Sequence, residues 1–180
     1  MILTGHEIKK RIEKGTIYIS DFDEKRLNPN SYNLRLGDTL LVYDLEACDG
    51  VIDMKKNNPV KEIKIGEEGF VLEPGMLYLG RTMEITKTYD CVPMLEGRSS
   101  IGRLGMFCHV TAGFGDQGFE GSWTLEIATI HPLRVYAGTE ICQISYYECK
   151  GEPMPYVSKK YLGQEEVVPS KLYMDFQNNK

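Results

Sequence analysis

The feature that most limits the folds open to this chain is its punctuation. From Tyr32 onward, apolar-rich stretches of a few residues alternate with Gly and Pro turn signals. Segments 33–37, 39–43, 69–72, 77–82, 106–111, 122–130, 133–136 and 140–147 read as strands. Turn residues such as Glu73, Pro74, Gly75 and Ala137, Gly138 lie between them. Many short strands at regular spacing predict a mainly β fold, a barrel or jelly roll. One short helix precedes them. Thr4 and Glu7 have capping-box spacing, Leu3 and Ile8 staple spacing, Ile8 and Ile12 share a face, and Gly15 sits at the stop. Residues 21–26 read as a charged, solvated stretch, and Asn28, Pro29, Asn30, Ser31 as a turn. The Lys-rich residues 53–68 read as a hairpin or surface loop. From 151 to 180 the chain turns polar and reads as an arm, its last residues Asn178, Asn179 and Lys180 loose. The expected organisation is one domain over 1–180 with an arm at 151–180.

Composition excludes several function classes. A net charge of −5 argues against broad binding to nucleic acid or to an anionic membrane surface. No run reaches the roughly 18 apolar residues of a membrane span, and polar residues follow Met1, Ile2, Leu3 at once; a cytoplasmic protein is expected. Cys48, Cys91, Cys108, Cys142 and Cys149 are odd in number and lack C-x-x-C spacing, so they read as small hydrophobes rather than disulfides or zinc ligands. His6, His109 and His131 lack metal-ligand spacing and read as structural. The zinc-deaminase signature, the nucleophile elbow, the P-loop and the Rossmann fingerprint are all missing from the sequence.

The chemistry concentrates between residues 96 and 126. Arg98 and Arg103 flank Ser99, Ser100, Ile101 and Gly102. Guanidinium forks beside small hydroxyl donors suit a polyphosphate, although each arginine taken singly reads as a surface residue. Asp116 sits in a Gly-rich turn, where it either stabilises its own loop or meets a sugar hydroxyl or the outer shell of magnesium. Around Glu126 the alternation sends Trp123, Leu125 and Ile127 to a core. Ser122, Thr124, Glu126 and Ala128 go to the other face, towards solvent, a partner or a ligand. Together these residues read as a nucleotide site with an acid/base carboxylate.

In order along the chain, several motifs resemble the dCTP deaminases, which share a superfamily with the trimeric dUTPases. They are Arg98, Ser99, Ser100, Arg103, Leu104, Gly105; His109, Val110, Thr111, Ala112, Gly113; Asp116, Gly118, Phe119, Gly121; and Thr124, Leu125, Glu126. Residues 30–37 are similar to the family's early motif. Pro155, Tyr156 and residues 160–164 are similar to its nucleotide-closing end. The resemblance implies a distorted β-barrel or jelly roll, a homotrimer with sites at subunit interfaces, dCTP as substrate with magnesium on its triphosphate, and no zinc. It implies Glu126 as general acid/base, Ser99 and Arg103 positioning water and base, and the Ala112 carbonyl holding the water. It further implies phosphate contacts from residues 98–103, Lys160 and Gln164, and Asp116 on the deoxyribose hydroxyl. Tyr156 would pack near the sugar, and Thr124, Leu125 and Glu126 would read the pyrimidine. Two departures stand out: Asn33 where the early motif carries Asp, and Gln117 where the turn commonly carries Pro.

Ala112 is followed by Gly113 and Phe114, which resembles the members that continue to dUMP rather than releasing dUTP. Gln143 resembles that group's pyrimidine-pocket glutamine. The alternatives are a deaminase that releases dUTP, a dUTPase, and a non-catalytic nucleotide sensor.

Overall fold

The computed structural model describes residues 1–108, 112–154, 156–158 and 160–177. The predicted residues His109, Val110, Thr111, Pro155, Asn178, Asn179 and Lys180 lie outside these.

The opening helix forms where the capping signal put it. Helix α1 spans Gly5–Glu13, and Thr4 Oγ1 accepts the Glu7 N–H at 3.3 Å. Glu7 does not complete a reciprocal box; its carboxylate instead accepts from Arg11 Nε at 3.2 Å. Leu3 and Ile8 are both buried.

Thirteen strands follow among the described residues. They are β1 (Ile17–Ile19), β2 (Tyr32–Arg35), β3 (Thr39–Tyr43), β4 (Val60–Lys64), β5 (Phe70–Leu72), β6 (Tyr78–Arg81), β7 (Thr86–Thr88), β8 (Cys91–Gly97), β9 (Met106–Cys108), β10 (Glu120–Gly121), β11 (Thr124–Thr129), β12 (Leu133–Val135) and β13 (Glu140–Glu148). One turn of helix, α2 (Ser99–Gly102), interrupts them, and α3 (Tyr173–Gln177) comes near the end. The fold is mainly β with few helices.

Closure is where expectation and structure part. Among the described residues the strands pair into four sheets, ordered β1-β7-β10, β4-β3-β6-β11-β9, β12-β5 and β2-β13-β8, and none closes on itself. The sheets instead share one core, in which Ile8, Tyr32, Leu72, Leu125 and Ile144 belong to the same buried cluster.

Two further readings change. Residues 21–26 are not simply solvated: Glu24–Arg26 is a 3-10 turn, and Arg26 is buried. Its guanidinium pairs with Glu84, a carboxylate 0% exposed, which also accepts the Arg35 N–H at 2.9 Å and Arg35 Nε at 2.6 Å. A charge-only reading of a six-residue window cannot show that its partner lies near position 84. Strand β8 was not anticipated because Pro93 and Glu96 break the apolar pattern, yet it pairs with β13 over seven residues. The 53–68 insertion does supply a hairpin strand: β4 pairs antiparallel with β3 from Thr39↔Lys64 to Tyr43↔Val60.

Candidate active site

Strand β11 positions the site. Its alternation buries Leu125 and Ile127 completely and turns Thr124 and Glu126 to the opposite face. There both line a cleft of about 440 Å³. β11 is held on one side by β6 over residues 124–127, and on the other by β9 over residues 127–129 among the described residues.

The back of the cleft is aromatic. The Trp123 indole N–H donates to Thr86 Oγ1 at 2.7 Å, and its ring lies 4.5 Å from that of Phe119. Both line the cleft, although the alternation assigns Trp123 only to the core. Gly115 lies against that ring: a Cβ there would stand 2.3 Å from Trp123 Cη2. The turn bearing Asp116 can approach this closely only because that position has no side chain. The turn is closed by the Phe119 N–H donating to the Asp116 carbonyl at 3.2 Å, with Gly118 at φ +91. A positive φ at the third residue is a type II feature, and Pro is favoured at the second. Gln117 stands there instead, and its amide donates to the Tyr89 carbonyl at 2.7 Å. A long-range hydrogen bond thus supplies restraint that a proline ring would otherwise give.

The arm forms another wall. The Ser122 N–H donates to the Gln164 carbonyl at 2.8 Å, and Gln164 Nε2 donates to the Ser122 carbonyl at 2.7 Å. The Val168 N–H donates to Thr124 Oγ1 at 3.3 Å. Tyr156, Tyr161 and Gln164 line the cleft. Gln164 Oε1 is buried with no hydrogen-bond partner among the described residues, an acceptor suited to a ligand donor. Lys160 is engaged elsewhere, its ammonium 2.5 Å from Asp175 of α3.

The arginine–serine segment lies outside this cleft. Ser99, Ser100, Gly102 and Arg103 are exposed, and Ile101 packs against the core. Arg98 Nη1 donates to the Glu140 carbonyl at 2.8 Å and lies 3.2 Å from its carboxylate. Gln143 is beside it: its Oε1 accepts from Ser31 Oγ at 2.7 Å, and its Nε2 donates to the Gly97 carbonyl at 3.3 Å. None of Arg98, Ser99, Ser100, Arg103 or Gln143 lines the cleft that holds Glu126.

Burial keeps the core cysteines in their unreactive form. Burial pushes the Cys91 and Cys108 thiols up to about 12 and Cys142 well above its usual value, so all three stay protonated near neutrality. Among the described residues no group of three or more His, Cys, Asp or Glu side chains could hold a metal ion. No helix among them is long and apolar enough to cross a membrane.

A family profile described as dCTP deaminase-like matches residues 2–149. The chain belongs to the dCTP deaminase-like family. It is 61% identical over 177 residues to a protein of Leptospira biflexa serovar Patoc named dCTP deaminase, dUMP-forming, covering 98% of this chain and 99% of that one. It is 57% identical to a protein of the same name from Hathewaya histolytica, covering 98% of this chain and all of that one. The fold is that of the 2′-deoxycytidine 5′-triphosphate deaminase from Agrobacterium tumefaciens, at a TM-score of 0.63 and 23% identity; the match covers 81% of this chain and 47% of that protein.

Within this dCTP deaminase-like chain, the cleft gathers Ala112, Phe114, Asp116, Thr124, Glu126, Tyr156 and Gln164 of the residues anticipated from sequence. Leu125 does not line it, since its side chain is core. Gly113 stands just behind, its carbonyl accepting the Leu95 N–H at 2.7 Å, and Phe114 is 64% exposed at the rim. Tyr43 and Leu79, from β3 and β6, also line the cleft. No motif pointed to them, and only the pairing of β3 with β6 and of β6 with β11 brings them there.

Proposed function

We propose that this chain catalyses dCTP + 2 H2O → dUMP + diphosphate + NH3, as the names of its relatives state for those proteins. The observation that carries the reading is the position of Glu126 beside Thr124 on the ligand-facing side of β11, in an aromatic-backed cleft that Asp116 and Tyr156 also line. Water attacks the amino-bearing carbon of the cytosine ring, and Glu126 accepts its proton. Glu126 then delivers a proton to the amino group, which departs as ammonia. The Ala112 carbonyl and Ser99 hold the water, and Arg103 balances charge beside the carboxylate. The backbone of residues 124–126 reads the pyrimidine together with Gln143. Asp116 takes the deoxyribose hydroxyl and Tyr156 packs on the sugar.

Arg98, Ser99, Ser100, Ile101, Gly102 and Arg103 bind the triphosphate, which brings its own magnesium as part of the substrate. Lys160 joins them once released from Asp175, and Gln164 once its amide leaves Ser122. Gly113, with no side chain, and Phe114 at the rim leave room for a second water, which releases diphosphate.

The cleft has a carboxylate but not the arginine–serine segment, which is exposed elsewhere on the chain. That separation supports a homotrimer of distorted jelly rolls in which the arginines of one subunit complete the cleft of the next. The arm closes each cleft.

Ammonia release and product separation after incubation with dCTP test the reading. Wild type yields ammonia and dUMP. Glu126→Gln loses roughly a thousandfold in ammonia release while still binding dCTP. A fully active variant removes Glu126 from its role, and accumulation of dUTP with no dUMP overturns the second step.

A further inference from the structure

A connected hydrogen-bond path links β2, β13 and the turn into α2, and its members Asn28, Ser31, Asn33 and Glu140 have no part in the reaction steps above. Glu140 opens β13, and the β2–β13 register shifts between Glu140 and Cys142. Such an irregularity re-aims a side chain out of regular alternation. The Glu140 carboxylate accepts from Asn33 Nδ2 at 2.8 Å and faces Arg98 Nη1 at 3.2 Å, while its carbonyl accepts from that same Nη1 at 2.8 Å. Asn33 Oδ1 accepts from Asn28 Nδ2 at 2.8 Å, which points the amide nitrogen of Asn33 at Glu140. Asn28 Nδ2 also reaches Ser31 Oγ at 3.2 Å, Ser31 donates to Gln143, and Gln143 donates to the Gly97 carbonyl. The path therefore grips the chain on both sides of the peptide bond joining Gly97 to Arg98.

We propose that Glu140 and Asn33 are positioning residues that aim Arg98 at the substrate phosphates; this rests on the reading of Arg98 as a triphosphate ligand. With Nη1 held by both acceptors of Glu140, the Nη2 and Nε edge is the part of the fork that meets an oxygen pair. Asn33 matters as a neutral donor. An acid at position 33 would set two carboxylates at hydrogen-bond distance and turn Glu140 away from Arg98. Exchanging the two groups restores one acid and one amide: in Asn33→Asp/Glu140→Gln the new amide donates to the new carboxylate.

Steady-state deamination of dCTP by the full chain tests this, with a thermal melt for every variant. Glu140→Ala and Asn33→Asp are each expected to raise KM about tenfold, as Arg98→Ala does, with kcat within about twofold of wild type. The double exchange is expected to return KM to within about twofold of wild type. Should Glu140→Ala fail to fold, Glu140→Gln and Asn33→Asp carry the measurement. Wild-type KM in the Glu140 and Asn33 variants, against a raised KM in Arg98→Ala, overturns the inference and leaves the proposed reaction standing. A fall in kcat in step with the melting temperature marks a purely structural role and also overturns it. A double variant as impaired as the singles refutes the pairing. Unchanged KM in Arg98→Ala removes the ligand role of Arg98 and the inference with it.

Discussion

Arg26 and Arg35 make an instructive contrast with Arg98 and Arg103. The first pair is saturated: Glu84 and Asp21 accept from both guanidinium groups, and Glu84 is completely buried between them. The second pair has one carboxylate, Glu140, against Arg98; Arg103 is exposed and has no side-chain partner among the described residues. The same side chain is a structural pin where the chain surrounds it with acceptors; on the proposed reading, the pair with fewer acceptors is the one left to meet an anion.

Mixing subunits strains this contrast hardest. Glu126→Gln and Arg103→Ala subunits should each be nearly inactive alone. Dissociated and reassembled at equal ratio, they should recover about a quarter of wild-type ammonia release, because about one interface in four then joins two intact halves. No recovery after verified subunit exchange would mean that both halves act within one chain. Next in size is Glu84→Ala. It leaves two arginines without their buried carboxylate and should cost about 3–5 kcal/mol in a urea unfolding curve. Arg103→Ala should change that stability by no more than about 0.5 kcal/mol. Equal costs for the two variants would erase the distinction. The mildest test uses the thiols. At pH 8, iodoacetamide should label the exposed Cys149 first, with Cys91, Cys108 and Cys142 protected by burial and by their raised pKa values; mass spectrometry of tryptic peptides reads the order.

How far the sequence speaks depends on the range of the interaction. Thr4 and Gly15 mark the ends of α1 because capping is decided within one turn of chain. The period-2 pattern around Glu126 is equally local, and it puts Thr124 and Glu126 on one face as observed. Arg26 was misjudged because burial depends on Glu84, 58 residues away. β8 was missed because Pro93 and Glu96 obscure its pattern, and pairing with β13 decides the matter. Within the site, Asp116 and Thr124 stand out by motif, whereas Tyr43 arrives only through sheet order. The separation of the arginine–serine segment from the cleft is likewise invisible in a linear string, since contiguity in sequence says nothing about which way a surface faces. Asn33 first looks like a lost charge; in the fold its amide donates to Glu140, a neutral donor opposite an acid.

The outer hairpin of β3 and β4 carries more than its own strands. Val167 packs on Leu41 and Leu79, the Ser170 N–H donates to Tyr43 Oη at 3.1 Å, and Lys55 lies over the ring of Phe176. The hairpin is thus a mooring for residues 167–176. Lengthening or trimming its tip, away from the cleft, will shift the berth of the segment that walls the cleft.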